Sequence, residues 1–116
     1  MTDMLEDIFK RQKEVDEIIK QTKRSQGLDF SFNESEWIDR LTTAIIAEAI
    51  ELKEASNWKW WKKPKEMDKD AIIDEMADIL HMWVSLCWRL GITPQNIYRA
   101  YIEKNEENRK RQQRGY

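Results

Sequence analysis

The chain has 116 residues, a length that suits one domain spanning 1–116. Hydrophobic residues make up 41% and charged residues 36%, too apolar for an acidic disordered chain and too charged for a membrane protein. The net charge of −2 argues against non-specific nucleic-acid binding.

No apolar run approaches the ~20 residues that a membrane span needs. The N-terminal MTDMLEDIFK is amphipathic and lacks the apolar stretch of a secretory signal. A single cysteine, Cys87, excludes an intramolecular disulfide and a cysteine zinc cage, and it fits a reducing cytoplasm. A single histidine, His81, excludes any site built on several imidazoles. Three glycines and two prolines point to long helices rather than turn-rich β architecture.

Four helical stretches follow in chain order. The first covers roughly 3–24, with Leu5, Ile8, Phe9, Val15, Ile18 and Ile19 as its apolar stripe, and Gly27 ends it. After a loop over 27–33, Asn33 with Glu36 three residues on resembles a capping box. The second helix runs to about Ser56 on a stripe of Trp37, Leu41, Ala44, Ile45 and Leu52. The connector 57–68 reads NWKWWKKPKEMD, and its Pro64 forbids helix there. The third helix, about 69–90, is apolar on almost every face and stops at Gly91. Such a helix is expected either at the centre of the bundle or partly in a dimer interface. Thr93-Pro94 supplies an N-cap and a proline at the first helical position. The fourth helix then runs to about Gln112 with Ile97, Tyr98, Tyr101 and Ile102 facing inward. The expected architecture is an all-α compact bundle of four helices, and so small a core favours a dimer.

Acidic residues interrupt this pattern. Glu48 sits inside the apolar stripe of the second helix, between Ala44 and Leu52, with Glu51 one turn further on. The third helix repeats the arrangement with Glu75 between Ile72 and Ile79 and Asp78 one turn later. Antiparallel packing of the two helices can bring all four carboxylates together. Unpaired, they would repel one another and lose hydration, which a divalent cation relieves. Oxygen ligands suit Mg²⁺ or Mn²⁺ rather than zinc. A di-iron bundle needs Glu-x-x-His on two helices and fails on the histidine count.

Two further features carry positive charge. Lys104, Asn108 and Arg111 make one stripe on the fourth helix, suited either to phosphate oxygens or to a solvated helix end. The connector interleaves Trp58, Trp60 and Trp61 with Lys59 and Lys62, suited to a base and phosphates or to covering the bundle end. Carboxylates for a metal, cations for phosphate and rings for a base together describe a nucleoside triphosphate site. No glycine-rich phosphate loop is present.

The ordered pairs Glu48-x-x-Glu51 and Glu75-x-x-Asp78 resemble the signature of the all-α nucleotide pyrophosphatase superfamily, which holds the MazG-like proteins and the dimeric dUTPases. The flanks are similar to the dimeric dUTPases: IFKRQKEVDEII to their opening helix, WKWW to their F-K-x-W segment, DILHM to their D-x-L-H-F, and the ending from Tyr101 to Tyr116 to their phosphate-contacting motif. The resemblance implies that Glu48, Glu51, Glu75 and Asp78 bind Mg²⁺, with Mn²⁺ as a substitute. Glu51 would orient or deprotonate the attacking water. It also implies phosphate contacts from Lys104, Asn108 and Arg111, helped by Lys59 and Lys62. The base and sugar pocket would be lined by Gln12, Asp16, Trp61 and His81. Asp16 stands where some relatives carry Asn, and a carboxylate reads a different base edge from an amide.

The expected function is therefore Mg²⁺-dependent hydrolysis of dUTP to dUMP and pyrophosphate by a cytoplasmic homodimer, without nucleic acid or membrane as partner. The same chemistry on another nucleotide such as dCTP is the nearer rival. A non-catalytic helical interaction module is the more distant one.

Overall fold

The structure is a computed structural model and describes residues 3–115. It contains four α-helices and, among the described residues, no strand: α1 (Met4–Ser25), α2 (Glu34–Glu54), α3 (Lys69–Arg89) and α4 (Pro94–Gln113). Each end has a local cause. The Asp3 carboxylate accepts from the Leu5 and Glu6 amides at 2.9 and 3.3 Å and starts α1. Asn33 and Glu36 form the reciprocal capping box expected at α2. Asp68 caps α3, and Thr93 caps α4 in a second box closed by Asn96. Both α1 and α3 end in Schellman turns, in which Gly27 (φ 84°) and Gly91 (φ 72°) take the left-handed position that a side chain would strain.

Packing between α2 and α3 is the most extensive in the molecule. The helices run antiparallel: Trp37 near the start of α2 lies against Arg89 at the end of α3, while Glu48 and Glu51 face Glu75 and Asp78. The expected stripe of α2 (Trp37, Leu41, Ala44, Ile45, Leu52) is partly buried throughout. Beside this pair lies α1, packed on α3. The core proper is small: Phe9, Val84 and Cys87 are buried, with Leu5, Ile8, Trp83, Ile92 and Ile97 packed around them.

Three expectations need correction. The buried face of α1 keeps Leu5, Ile8 and Phe9 of the expected stripe but loses Val15, Ile18 and Ile19, which are exposed. Past Phe9 it runs instead through Gln12 and Asp16, because Trp88 and Arg89 on α3 offer Asp16 partners and Asp16 in turn holds Gln12. The bundle is open rather than compact. Its radius of gyration is 18.0 Å, against about 13 Å for a compact chain of 100 residues. Among the helices, α4 packs only on α1, where Gln95 donates to Glu6. Its inward stripe is therefore reduced to Ile97, while Tyr98 and Tyr101 are each 64% exposed and Ile102 is exposed as well. On α3, apolar on almost every face, Ile73, Met76 and Leu80 are exposed in the single chain.

Val84 is wholly buried at the α1–α3 contact. Val84→Ala is expected to cost about 2 kcal/mol, the transfer of two methyl groups plus the void they leave. Urea unfolding followed by circular dichroism measures that loss.

Candidate metal centre

The α2–α3 register places one oxygen from each of Glu48, Glu51, Glu75 and Asp78 within 4.8 Å of one another. Glu48 and Glu75 are half-buried, and Glu51 and Asp78 are exposed. The i, i+3 spacing on each helix turns both members of a pair toward the facing helix.

Two oxygens of the cluster, Glu48 Oε2 and Glu75 Oε2, are sealed from solvent with no hydrogen-bond partner among the described residues. Unpaired buried carboxylate oxygens are costly. Burial is the largest cause that raises the Glu48 carboxyl above its ordinary range, followed by Glu51 and then by the charges of Asp78 and Glu75. The Glu75 carboxyl is raised as well, again first by burial and then by Glu51, Asp78 and Asp74. These four groups suit a hard divalent cation in number, charge and spacing. Oxygens on opposite sides of a Mg²⁺ ion stand about 4 Å apart, close to the span seen here.

The remaining predicted site residues fall into three places. Gln12 and His81 share a cleft of about 260 Å³ with Ile8, Arg11, Val15, Ala77 and Leu80. Asp16 is behind Gln12, accepting from Gln12 Nε2 at 3.0 Å and from Trp88 Nε1 at 2.6 Å. Lys59 and Lys62 line a recess of about 190 Å³ with Ser56, Asn57, Lys63 and Lys65 in the loop after α2. That loop is closed by Asn57, whose side chain exchanges two hydrogen bonds of 2.9 and 3.0 Å with the Lys65 backbone. Trp61 is exposed on it and meets Trp58 and Trp60 edge-on, with centroids 5.9 and 5.6 Å away.

Lys104, Asn108 and Arg111 are the third group. They lie exposed on α4, where Arg111 pairs with Glu107 at 3.4 Å. A single chain does not bring this stripe to the carboxylates, since α4 packs on neither α2 nor α3. Tyr116, the last residue of the C-terminal motif, lies outside the described residues.

Sequence reasoning missed Arg89. Its guanidinium stacks 3.7 Å from the Trp37 centroid and 4.7 Å from that of Trp88. It lies 3.7 Å from Asp16 and donates to Ser85 Oγ at 3.1 Å. Burial lowers its pKa from the ordinary value, and Asp16 opposes that shift. An arginine ending an otherwise apolar helix, one turn after a serine, was the available signal.

A helical bundle that gathers E-x-x-E and E-x-x-D at one point defines the class: an all-α protein with a four-carboxylate cluster that could hold a metal ion. Residues 4–93 match the dUTPase family, and the chain belongs to that family, the all-α dUTPases. The match stops at Thr93, before α4. A protein of Enterobacteria phage LZ5 named dCTP pyrophosphatase is 38% identical over 77 residues, covering 55% of this chain and 45% of that relative. The chain thus spans under half the length of the curated relative it matches. No solved structure matches it significantly.

The raised carboxyls have a consequence of definite sign. Folded chains hold protons on Glu48 and Glu75 more tightly than unfolded ones, whose ordinary value is 4.5. Their contribution therefore favours folding in acid and is lost as pH rises from about 4.5. In metal-free buffer at neutral pH, Glu48→Gln is expected to melt above the wild type. With saturating Mg²⁺ the order reverses, because the wild type alone keeps the full ligand set. Thermal melts with Mg²⁺ and with EDTA read both arms.

Proposed function

We propose that the protein is a Mg²⁺-dependent nucleoside triphosphate pyrophosphohydrolase, acting on a pyrimidine deoxynucleotide to release the monophosphate and pyrophosphate. The observation that carries this reading is the cluster of four carboxylates with two sealed, unpartnered oxygens. Membership of the dUTPase family favours dUTP as substrate, and the phage relative's name favours dCTP.

Glu48, Glu51, Glu75 and Asp78 would hold Mg²⁺, or Mn²⁺ in its place. The chemistry such an ion supplies there is neutralisation of phosphate charge and a bound water of lowered pKa. Glu51 is exposed at the edge of the cluster, so it can accept the proton of a water approaching the phosphorus. Lys59 and Lys62 border the cluster's end of α2 and would neutralise charge developing on phosphoryl oxygens. Gln12 and His81 would line the base pocket, with Asp16 behind Gln12. Trp61 offers a ring for stacking from the loop.

The working unit in this proposal is a homodimer in the cytoplasm. Ile46 and Ile50 on α2, Ile73 and Met76 on α3, and Tyr98 and Tyr101 on α4 are all more than half exposed. These exposed apolar side chains on three helices offer a face that a second copy would cover. A second copy covering it would also bring a second α4, with Lys104, Asn108 and Arg111, into reach of a carboxylate cluster. The lone buried thiol of Cys87 suits a reducing compartment. Among the described residues, no helix is long and apolar enough to cross a membrane.

Two experiments test this. Pyrophosphate release from a panel of nucleoside triphosphates should require Mg²⁺, stop with EDTA, and fall by about 100-fold or more in Glu51→Gln without loss of helical content. Unchanged turnover in that variant removes the carboxylate cluster from the reaction. Light scattering on the purified protein should return twice the mass of one chain, and a monomer mass would refute the dimer.

A further inference from the structure

Asp16 is only 6% exposed, and both its oxygens are engaged. Oδ2 accepts from Trp88 Nε1 at 2.6 Å and stands 3.7 Å from the Arg89 guanidinium, while Oδ1 accepts from Gln12 Nε2 at 3.0 Å. Indole and guanidinium groups can only donate, and a carboxylate can only accept. Asp16 therefore admits one orientation of the Gln12 amide, with the nitrogen turned toward Asp16 and the oxygen away. Among the described residues nothing donates to Gln12 Oε1, and that atom is not sealed from solvent. Gln12 lines, together with Arg11 and His81, a cleft whose other walls are aliphatic (Ile8, Val15, Ala77 and Leu80), and with its nitrogen held by Asp16 its oxygen is the amide atom left for that cleft.

We propose that Asp16 sets the base preference of the enzyme through Gln12, so that the cleft presents an amide oxygen and selects cytosine over uracil. The proposal rests on the pyrophosphohydrolase reading above. The exocyclic amine of cytosine donates to that oxygen. Where the oxygen meets the C4 substituent rather than N3, uracil offers a carbonyl and sets acceptor against acceptor, and Arg11, the cation lining the cleft, is already paired with Asp7 at 2.9 Å. Asp16 acts as a positioning residue, since it touches Gln12 and not the base.

The same logic states what an amide at this position would do. In Asp16→Asn the side-chain oxygen would still accept from Trp88, which leaves the new nitrogen facing Gln12. Gln12 would then turn its own oxygen toward that nitrogen and its amide N–H groups into the cleft. Asp16→Asn thus exchanges an acceptor for a donor at the base without altering a residue that touches it.

The test compares dCTP with dUTP on the full chain in Mg²⁺. It reads kcat/KM by pyrophosphate release, and affinity by calorimetry with the α,β-imido analogues. For the wild type the ratio should favour dCTP by about tenfold or more, the cost of one mismatched buried hydrogen bond. In Asp16→Asn the ratio should fall by about tenfold or more toward dUTP. In Gln12→Met it should approach unity. A merely structural Asp16 would depress both substrates together and leave the ratio unmoved. That result, or a wild-type preference for dUTP, overturns the proposal and leaves the pyrophosphohydrolase reading standing. If Asp16→Asn fails to fold, the ratio in Gln12→Met decides. If the wild type neither cleaves nor binds either nucleotide, the proposal falls together with the reading beneath it.

Discussion

Arg89 ties three helices together. From the end of α3 it stacks on Trp37 of α2 and lies beside Asp16 of α1, with Trp88 of its own helix completing the enclosure. A guanidinium can do this because its planar face packs on rings while its edge donates. The contact sets the antiparallel register of α2 and α3 at one end. At the far end, the same register makes Glu48 and Glu51 meet Glu75 and Asp78. The cationic clasp and the anionic cluster are thus two ends of one helix pair.

The two ends differ in how their charges are compensated. At the clasp, the buried carboxylate of Asp16 is answered within the chain by two donors and a nearby cation. At the cluster, two buried oxygens have no answer from the described residues, and four negative groups face one another. Such an arrangement weakens the free chain and strengthens whatever cation binds it. The stability of this fold and its capacity to hold a metal are therefore opposed at the same four side chains.

Most of the local structure was legible in the sequence. All four helices lie where periodicity and capping residues put them, because caps such as Asn33 with Glu36 and the left-handed Gly91 act through bonds of a few residues' reach. The carboxylate cluster was legible for a similar reason. Acidic residues at helical spacing inside apolar stripes can be counted without knowing the fold, and short antiparallel pairing of consecutive helices is the simplest way to use them. The exposed stripes were not legible. Val15, Ile18, Tyr98 and Tyr101 have the spacing of core residues, yet periodicity says only that a face is apolar, not that another surface covers it.

By itself, the sequence determined the helices, their ends and the four acidic groups that must meet, since each depends on chemistry local to one or two helices. Tertiary structure alone decided which face of α1 is buried, how Asp16 is anchored so that it holds Gln12, and that α4 stands away from the other helices' carboxylates. The physical reason is that these depend on partners far along the chain, as with Asp16 and Trp88, which are 72 residues apart. A buried polar side chain goes where a distant donor or acceptor can satisfy it, and no spacing rule along the chain contains that information.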